Sequence, residues 1–198
     1  QPLSGRIQLQ LDDSILQGQP VTGELRARLR ERKLLLDNLQ LQGEGFAVDV
    51  SGDLQQRLDF TWKIESLAQI MGDLRGRSAG QGWLAYRDQS LAGEFSGSGA
   101  ELAYRDWRLD RIGVNGSTAA ALDGNWQLQA ELTGLQGPQP ALQLDRASLK
   151  AEGSPARHQL QFDLAQGIRR LRAGLTGGWG SDRWQGELTT LELLTGDW

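Results

Sequence analysis

The chain has 198 residues, of which 25 are acidic, 21 are basic and none is cysteine. The net charge of -4 is close to balance, which argues against a nucleic-acid-binding protein, since such proteins usually carry a concentrated basic stripe. The lack of cysteine excludes disulfides, thiolate nucleophiles and cysteine-based metal sites. Glycine occurs 26 times and proline only 5 times, a balance that indicates many turns and close backbone contacts rather than a disordered linker.

The N-terminal third of the chain alternates apolar and polar residues with the period of two that is typical of strands with one buried face. Asp12-Asp13 and residues 17–20 interrupt this pattern, and we expect turns there. Residues 24–33 form a strand whose polar side is strongly basic. That side could bind anionic headgroups, but a short charge run is more typical of a solvated outer face.

The alternation is lost from Ser66 to Met71, which predicts one short helical turn with Ser66 as its N-cap. Between Gly72 and Gly99 glycine then recurs at seven positions. Glycine inside strands indicates narrow, strongly curved strands or the close approach of another backbone.

Residues 109–132 form the clearest unit of the chain. Ile112 and Val114 precede Asp123-Gly124, a pair suited to tight reversals, and Trp126 and Leu128 alternate with polar residues after it. The unit is therefore predicted to be a hairpin with one apolar face. Related Leu-Asp motifs begin at residues 36, 109 and 144, and this spacing predicts an array of hairpins with about 35 residues per unit in a single domain, 1–198.

A sheet with one apolar face must cover that face with a second layer or bind something apolar. The sequence contains no long amphipathic helix that could form a second layer. Two architectures follow: an open sheet that binds lipid, or a closed β-sandwich or barrel that acts as a binding module for carbohydrate or protein. The seven tryptophans could build a sugar platform in the second case.

Three short patterns are weak indications of chemistry. Residues 76–80 match the Gly-x-Ser-x-Gly elbow of serine hydrolases, but no helix follows them. His158 and Asp163 could form a base and its orienting group, although a surface histidine is the simpler interpretation. Asp12-Asp13 fits a turn better than a metal site. The sequence therefore predicts no enzyme and no cofactor or metal, with a jelly-roll enzyme as a remote third alternative.

Two stretches resemble the TamB family, within the AsmA-like group of translocation and assembly proteins. The first runs from Trp62 to Gly116 and contains Trp62-x-Ile64-x-Ser-Leu67-Ala-x-Ile70, Gly72-x-Leu74-x-Gly76, Gly82-x-Leu84, Gly93-x-Phe95 and Leu109-x-x-Ile112-x-Val114-x-Gly116. The second is the ending Trp184-Gln-Gly-Glu-Leu188-x-x-Leu191-x-Leu193-x-x-Gly196-Asp-Trp198.

This resemblance implies an all-β fold: an elongated, curved, mainly antiparallel sheet folded into a taco-shaped groove with a hydrophobic interior. It implies a periplasmic protein anchored to the inner membrane by a helix outside this sequence. Such a protein is expected to move phospholipids between the inner and outer membranes and to support outer-membrane protein assembly with a TamA-like barrel partner. Because the chain begins without Met and within a strand-like pattern, we expect it to be part of a longer protein.

In that arrangement, the groove is lined by apolar residues that share strand parity, and acyl chains are held by non-directional burial without catalysis. The residues expected to line the groove are Leu9, Leu25, Leu41, Val48, Phe60, Trp62, Ile64, Ile112, Val114, Trp126, Leu128, Leu149, Leu160, Phe162, Leu171, Leu175 and Leu188.

Overall fold

The computed structural model describes residues 4–16, 18–30, 33–87, 90–119, 124–139, 142–154, 156–180 and 183–196. These residues form thirteen strands and one helical turn, α1 (Ala68–Met71). The strands are β1 (Ser4–Leu16), β2 (Gln19–Arg30), β3 (Lys33–Gly43), β4 (Phe46–Asp53), β5 (Arg57–Ile64), β6 (Leu74–Arg87), β7 (Ser90–Tyr104), β8 (Trp107–Ala119), β9 (Asn125–Gln136), β10 (Gln143–Gly153), β11 (His158–Gln166), β12 (Arg169–Trp179) and β13 (Trp184–Thr195).

All thirteen strands belong to one sheet and lie in chain order, each antiparallel to the next. Short connections favour this arrangement because antiparallel neighbours need only a tight turn. Within the described residues β1 and β13 do not pair with each other, so the sheet is open. The predicted all-β, curved and mainly antiparallel sheet is confirmed, and the alternative of a closed sandwich or barrel is wrong.

Five of the strand pairs contain a register shift, and such bulges bend and twist a sheet. The first lies between Leu11 and Ser14, so that Asp12 and Asp13 sit inside β1. The turn predicted at these two residues is therefore wrong. A bulge and a turn both interrupt the alternation of side chains, and sequence alone does not separate them.

The short helix predicted near residues 66–71 is confirmed as α1, but its predicted cap is wrong. Leu67 occupies the N-cap position, and no side chain caps the helix. Leu67 is buried, and its backbone N–H donates to the Gly76 carbonyl oxygen over 2.8 Å. Because Leu67 is buried against the start of β6, the helix begins one residue later than it would with Ser66 as its N-cap.

The hairpin predicted from residues 109–132 is confirmed by the antiparallel pairing of β8 with β9, in which Ile112 lies opposite Leu132. Asp123 of its predicted reversal lies outside the described residues. The three Leu-Asp motifs fall in β3, β8 and β10. Because β3 and β8 are five strands apart, they run in opposite directions, and the motif does not mark a hairpin period.

The described part of the sheet has no second layer over its apolar side, and none of its side chains is completely buried. The accessible surface is 14047 Å², whereas a compact protein of this mass exposes about 9,300 Å². No helix of the described chain is long and apolar enough to cross a membrane. The protein is thus a single extended sheet whose apolar residues are only partly covered.

Candidate functional site

The apolar residues of the thirteen strands form one continuous surface. Directly opposed residues of an antiparallel pair project from the same side of the sheet, so the strand registers trace rows of side chains across all thirteen strands. One row is Leu9, Leu25, Leu39, Val50, Phe60, Gly82, Phe95, Gly116, Leu128, Ala151, Leu160, Leu175 and Leu188. The next is Leu11, Gly23, Leu41, Val48, Trp62, Gly80, Gly97, Val114, Ala130, Leu149, Phe162, Ala173 and Leu191.

Four such rows make up this side of the sheet, which we call the apolar face. Thirteen of the seventeen residues predicted to line a groove lie in the two rows above. Ile64, Ile112 and Leu171 lie in the flanking row on one side. Trp126 lies in the flanking row on the other side, opposite Thr118 and Gly153. The sheet therefore brings all seventeen residues to one face.

Side chains on the apolar face are covered unevenly along the sheet. Phe60 and Trp62, in the central strand β5, are half-buried by their neighbours. Leu9 in β1 is 56% exposed, and Leu188 in β13 is 54% exposed. Each of these end strands has a neighbour on only one side within the described chain, so the apolar face is most open toward its two ends.

Glycines on the apolar face make room for aromatic rings. The indole of Trp62 lies across Gly80 and Gly97, and an alanine Cβ at Gly80 would overlap the indole and lie 2.5 Å from the Ser96 carbonyl oxygen. Phe95 covers Gly116 in the same manner. Aromatic rings that lie over strand glycines are a known stabilising arrangement. The glycine-rich stretch forms long strands, of 14 and 15 residues in β6 and β7, and the expected close approach of another backbone is seen at Gly80.

A buried histidine lies on the apolar face, where β9, β11 and β13 begin. The indole N–H of Trp184 donates to His158 Nε2 over 2.7 Å. His158 Nδ1 lies 3.2 Å from the Ser154 carbonyl oxygen. Because Nε2 accepts, the hydrogen-bond network assigns the proton to Nδ1, which donates to Ser154. Trp126 flanks the imidazole with its ring centroid 6.0 Å away.

The surface position predicted for His158 is therefore wrong, since the residue is only 6% exposed. It lies opposite Gly153 and Gly177. Asp163 is an odd number of residues away in β11 and projects from the other face. The two side chains thus cannot act as a base and its orienting group.

The Gly-x-Ser-x-Gly match also lies within a strand. Ser78 is in the middle of β6, opposite Ile64 and Gly99. Its Oγ accepts a hydrogen bond from the Trp62 indole over 3.1 Å. A nucleophile elbow needs a sharp turn into a helix, and this serine has neither.

The opposite side of the sheet, the polar face, carries ion pairs. Asp163 accepts hydrogen bonds from Arg170 at 2.8 Å and from Arg172 at 3.2 Å. The hydrogen bond from Arg170 is the main reason that the pKa of Asp163 lies below its usual value. The Lys63 ammonium lowers the pKa of Glu65 through a hydrogen bond of 2.9 Å in a more exposed setting.

Arg26 and Arg28, the two arginines of the basic run whose side chains the structure describes, are both paired. Arg28 Nε donates to both carboxylate oxygens of Asp37 at 2.8 Å, and this hydrogen bond raises the pKa of the Arg28 guanidinium. Arg26 pairs with Glu24. Arg32 lies outside the described residues. These two arginines therefore fit a solvated outer face rather than a pair of free cations.

Two depressions of the polar face are distinct from the apolar face. One of about 640 Å³ runs across β5 to β9, and another of about 430 Å³ runs across β10 to β13. In the described part of the chain no three His, Asp or Glu residues are grouped to hold a metal ion. The polar face thus offers shallow, hydrogen-bonding surfaces.

Sequence reasoning missed several members of the apolar face. Leu39 and Val50 lie there beside the predicted Leu41 and Val48, and a spacing of two residues was sufficient to find them. His158 shares its parity with Leu160 and Phe162, so parity alone places it on this face. Gly80 and Gly97 carry no side chain, and only the structure shows that a ring covers them.

Comparison with known proteins identifies the chain through its family. Neither the search of curated proteins nor the search of solved structures found a match. The family model described as TamB, N-terminal domain, matches residues 4–197, a span that includes all thirteen strands. The chain therefore belongs to the TamB family.

Proposed function

We propose that the apolar face holds phospholipid acyl chains and lets them move along the sheet. The observation that carries this proposal is the set of four apolar rows across thirteen strands, with no second layer over them in the described chain. With neighbouring strands 4.7–4.9 Å apart, each row is about 55–60 Å long. An acyl chain can thus find equivalent contacts at many positions.

The energetic argument rests on the partial exposure of this face. A large apolar side chain left in water forgoes about 1.5–3 kcal/mol of burial free energy. Contiguous exposed apolar patches on soluble proteins commonly mark interaction sites. A lipid tail that covers these rows recovers part of that free energy without any directional contact.

Movement along the face also requires that few polar groups trap or repel the tail. Thr118 is one polar side chain on the face. Two others, Ser78 and His158, already accept hydrogen bonds from Trp62 and Trp184. Their acceptors are therefore not presented to a ligand. The function needs no catalytic group and no cofactor, because burial is its only interaction.

Family membership supports the cellular setting of the proposal. We place the protein in the periplasm, anchored to the inner membrane through a helix outside this sequence. There it moves phospholipids between the inner and outer membranes, and it supports outer-membrane protein assembly with a TamA-like barrel partner.

Site-specific photocrosslinking in intact cells tests the lipid-binding face. A photoreactive residue at Leu128 on the apolar face is expected to form phospholipid adducts, detected by mass spectrometry. The matched control is Gln127, the preceding residue, which is exposed on the polar face and is expected to form none. Adducts at both positions, or at neither in a folded protein, would contradict the proposal.

A further inference from the structure

Two straight rows of side chains form most of the lining of the depression of about 640 Å³ on the polar face. Arg57 and four residues of the intervening apolar row, Phe60, Gly82, Phe95 and Gly116, complete it. The strand registers place Thr61, Gln81, Ser96, Asn115 and Gln129 directly opposite one another across β5 to β9. Two residues along each strand, a parallel row contains Asp59, Trp83, Glu94, Ser117 and Gln127. Four spacings between strands make each row about 19 Å long.

The first row is uncharged and rich in hydrogen-bonding groups. Gln81, Asn115 and Gln129 provide amide groups, each with two donors and an acceptor oxygen. In the described part of the chain these three amides make no hydrogen bond to protein, and all three side chains are exposed. The row therefore presents alternating donors and acceptors to a ligand in the depression.

The second row adds an aromatic surface whose position is fixed. The Arg57 guanidinium lies 5.0 Å from the centroid of the Trp83 ring, within cation–π distance. Arg57 also donates to Asp59 Oδ1 over 2.8 Å, so this cation is already neutralised. Among the described residues of the polar face, the half-buried Trp83 is the one large aromatic side chain that lines this depression.

We propose that this depression binds an oligosaccharide chain. A sugar offers hydroxyl groups that match uncharged amide and hydroxyl side chains, and its C–H surfaces pack against an indole. Because Arg57 and Asp59 neutralise each other, Glu94 is the one charged side chain of the two rows that has no ion pair among the described residues. This composition favours an uncharged ligand over a nucleic acid or an acidic peptide. The site uses the face opposite the lipid-binding rows and does not depend on the proposed lipid function.

Isothermal titration calorimetry of the 198-residue chain with chitotetraose, cellotetraose and maltotetraose tests the proposal. We expect at least one of them to bind with a Kd of about 0.1–1 mM. Trp83→Ala and Gln129→Ala are each expected to weaken that binding at least fivefold. Gln40→Ala is the matched control, because Gln40 lies on the polar face in the extension of the first row but outside the depression.

Two results would overturn the proposal. One is the absence of binding heat with all three sugars at 10 mM, a concentration about ten times the weakest expected Kd. A depression that binds a peptide or an anion instead would give the same absence of heat. The other is binding to both variants with the affinity of the unmodified chain. Circular dichroism spectra check the folding of Trp83→Ala, and Gln129→Ala changes only an exposed side chain, so it tests the site without disturbing the sheet.

Discussion

Two tryptophans on the apolar face lie over glycines but use different hydrogen-bond acceptors. Trp62 covers Gly80 and Gly97 in the middle of the sheet, while Trp184 covers Gly177 and Gly186 toward its C-terminal end. The Trp62 indole donates to a serine hydroxyl at 3.1 Å. The Trp184 indole donates to a histidine nitrogen at 2.7 Å.

The comparison shows what a single-layer sheet needs in order to hold an indole flat. The residues that the indole covers must lack a Cβ, and the indole N–H needs an acceptor on the same face, since a polar group without a partner is costly in apolar surroundings. Ser78 meets the second requirement. His158 meets it and also fills space between Trp126 and Trp184, with ring centroids 6.0 and 6.2 Å away.

The largest expected change in the free energy of unfolding comes from substitution of Gly80, which lies under the Trp62 indole. Gly80→Ala places a methyl group against both the indole and the Ser96 carbonyl oxygen, where no space exists. Overpacking of this kind lowers the free energy of unfolding by about 2–3 kcal/mol. Urea denaturation followed by tryptophan fluorescence measures the change.

Gly113→Ala is the matched control for that variant. Gly113 lies in β8 on the polar face, and a Cβ there meets nothing within 4 Å. Its substitution is expected to change the free energy of unfolding by about 0.5 kcal/mol or less. Equal effects of the two substitutions would show that the ring does not rest on Gly80.

Loss of either indole acceptor should destabilise the protein, and loss of His158 should cost more than loss of Ser78. His158→Leu removes the acceptor of Trp184 but keeps an apolar side chain, so the buried N–H loses its partner, and we expect a loss of about 2 kcal/mol in the free energy of unfolding. Ser78→Ala removes the acceptor of the less buried Trp62 arrangement, with an expected loss of about 1 kcal/mol. Urea denaturation of both variants gives the two values.

Double-mutant cycles with Trp184→Phe and Trp62→Phe isolate the two hydrogen bonds. The coupling between His158 and Trp184 is expected to exceed that between Ser78 and Trp62. A larger coupling at Ser78 would contradict the view that the imidazole both accepts a hydrogen bond and fills space.

The faces of this sheet could be predicted from sequence because side-chain parity survives wherever strands pair without interruption. Leu128 and Gln127 show this, since their alternation alone places them on opposite sides. The open architecture was one of two alternatives, because the same alternation builds a closed sandwich. What selects between them is the absence of a covering layer, which is not a local property of any strand.

Individual sites were harder to predict because they depend on contacts between strands. Nothing near Gly80 in the sequence shows that Trp62, eighteen residues earlier, lies over it. The polarity of histidine predicts a surface position for His158, although its parity matches that of Leu160. A bulge at Asp12 likewise cannot be distinguished from a turn by sequence, since both break the alternation.

The smallest expected effect concerns Asp163, on the polar face of the strand that carries His158. Its pKa is lowered chiefly by the hydrogen bond from Arg170, so the unfolded chain binds a proton more readily than the folded one. The stabilising contribution is therefore complete above the unfolded pKa of about 3.9 and is lost as the pH falls through the folded value. Asp163→Asn is expected to lower the free energy of unfolding by about 0.5–1 kcal/mol at pH 7. Urea denaturation of both proteins between pH 7 and pH 2 measures this difference.

The difference between the two proteins should shrink only below about pH 4, since all other titrating groups are common to both. Glu65→Gln gives the matched comparison near Trp62, because Glu65 also has a lowered pKa but a single lysine partner and greater exposure. Its effect is expected to be smaller than that of Asp163→Asn and to disappear over a similar range of acid pH. A difference for Asp163→Asn that persists unchanged at pH 2 would mean that the substitution acts through packing, and that the two arginines do not hold this part of the sheet through charge.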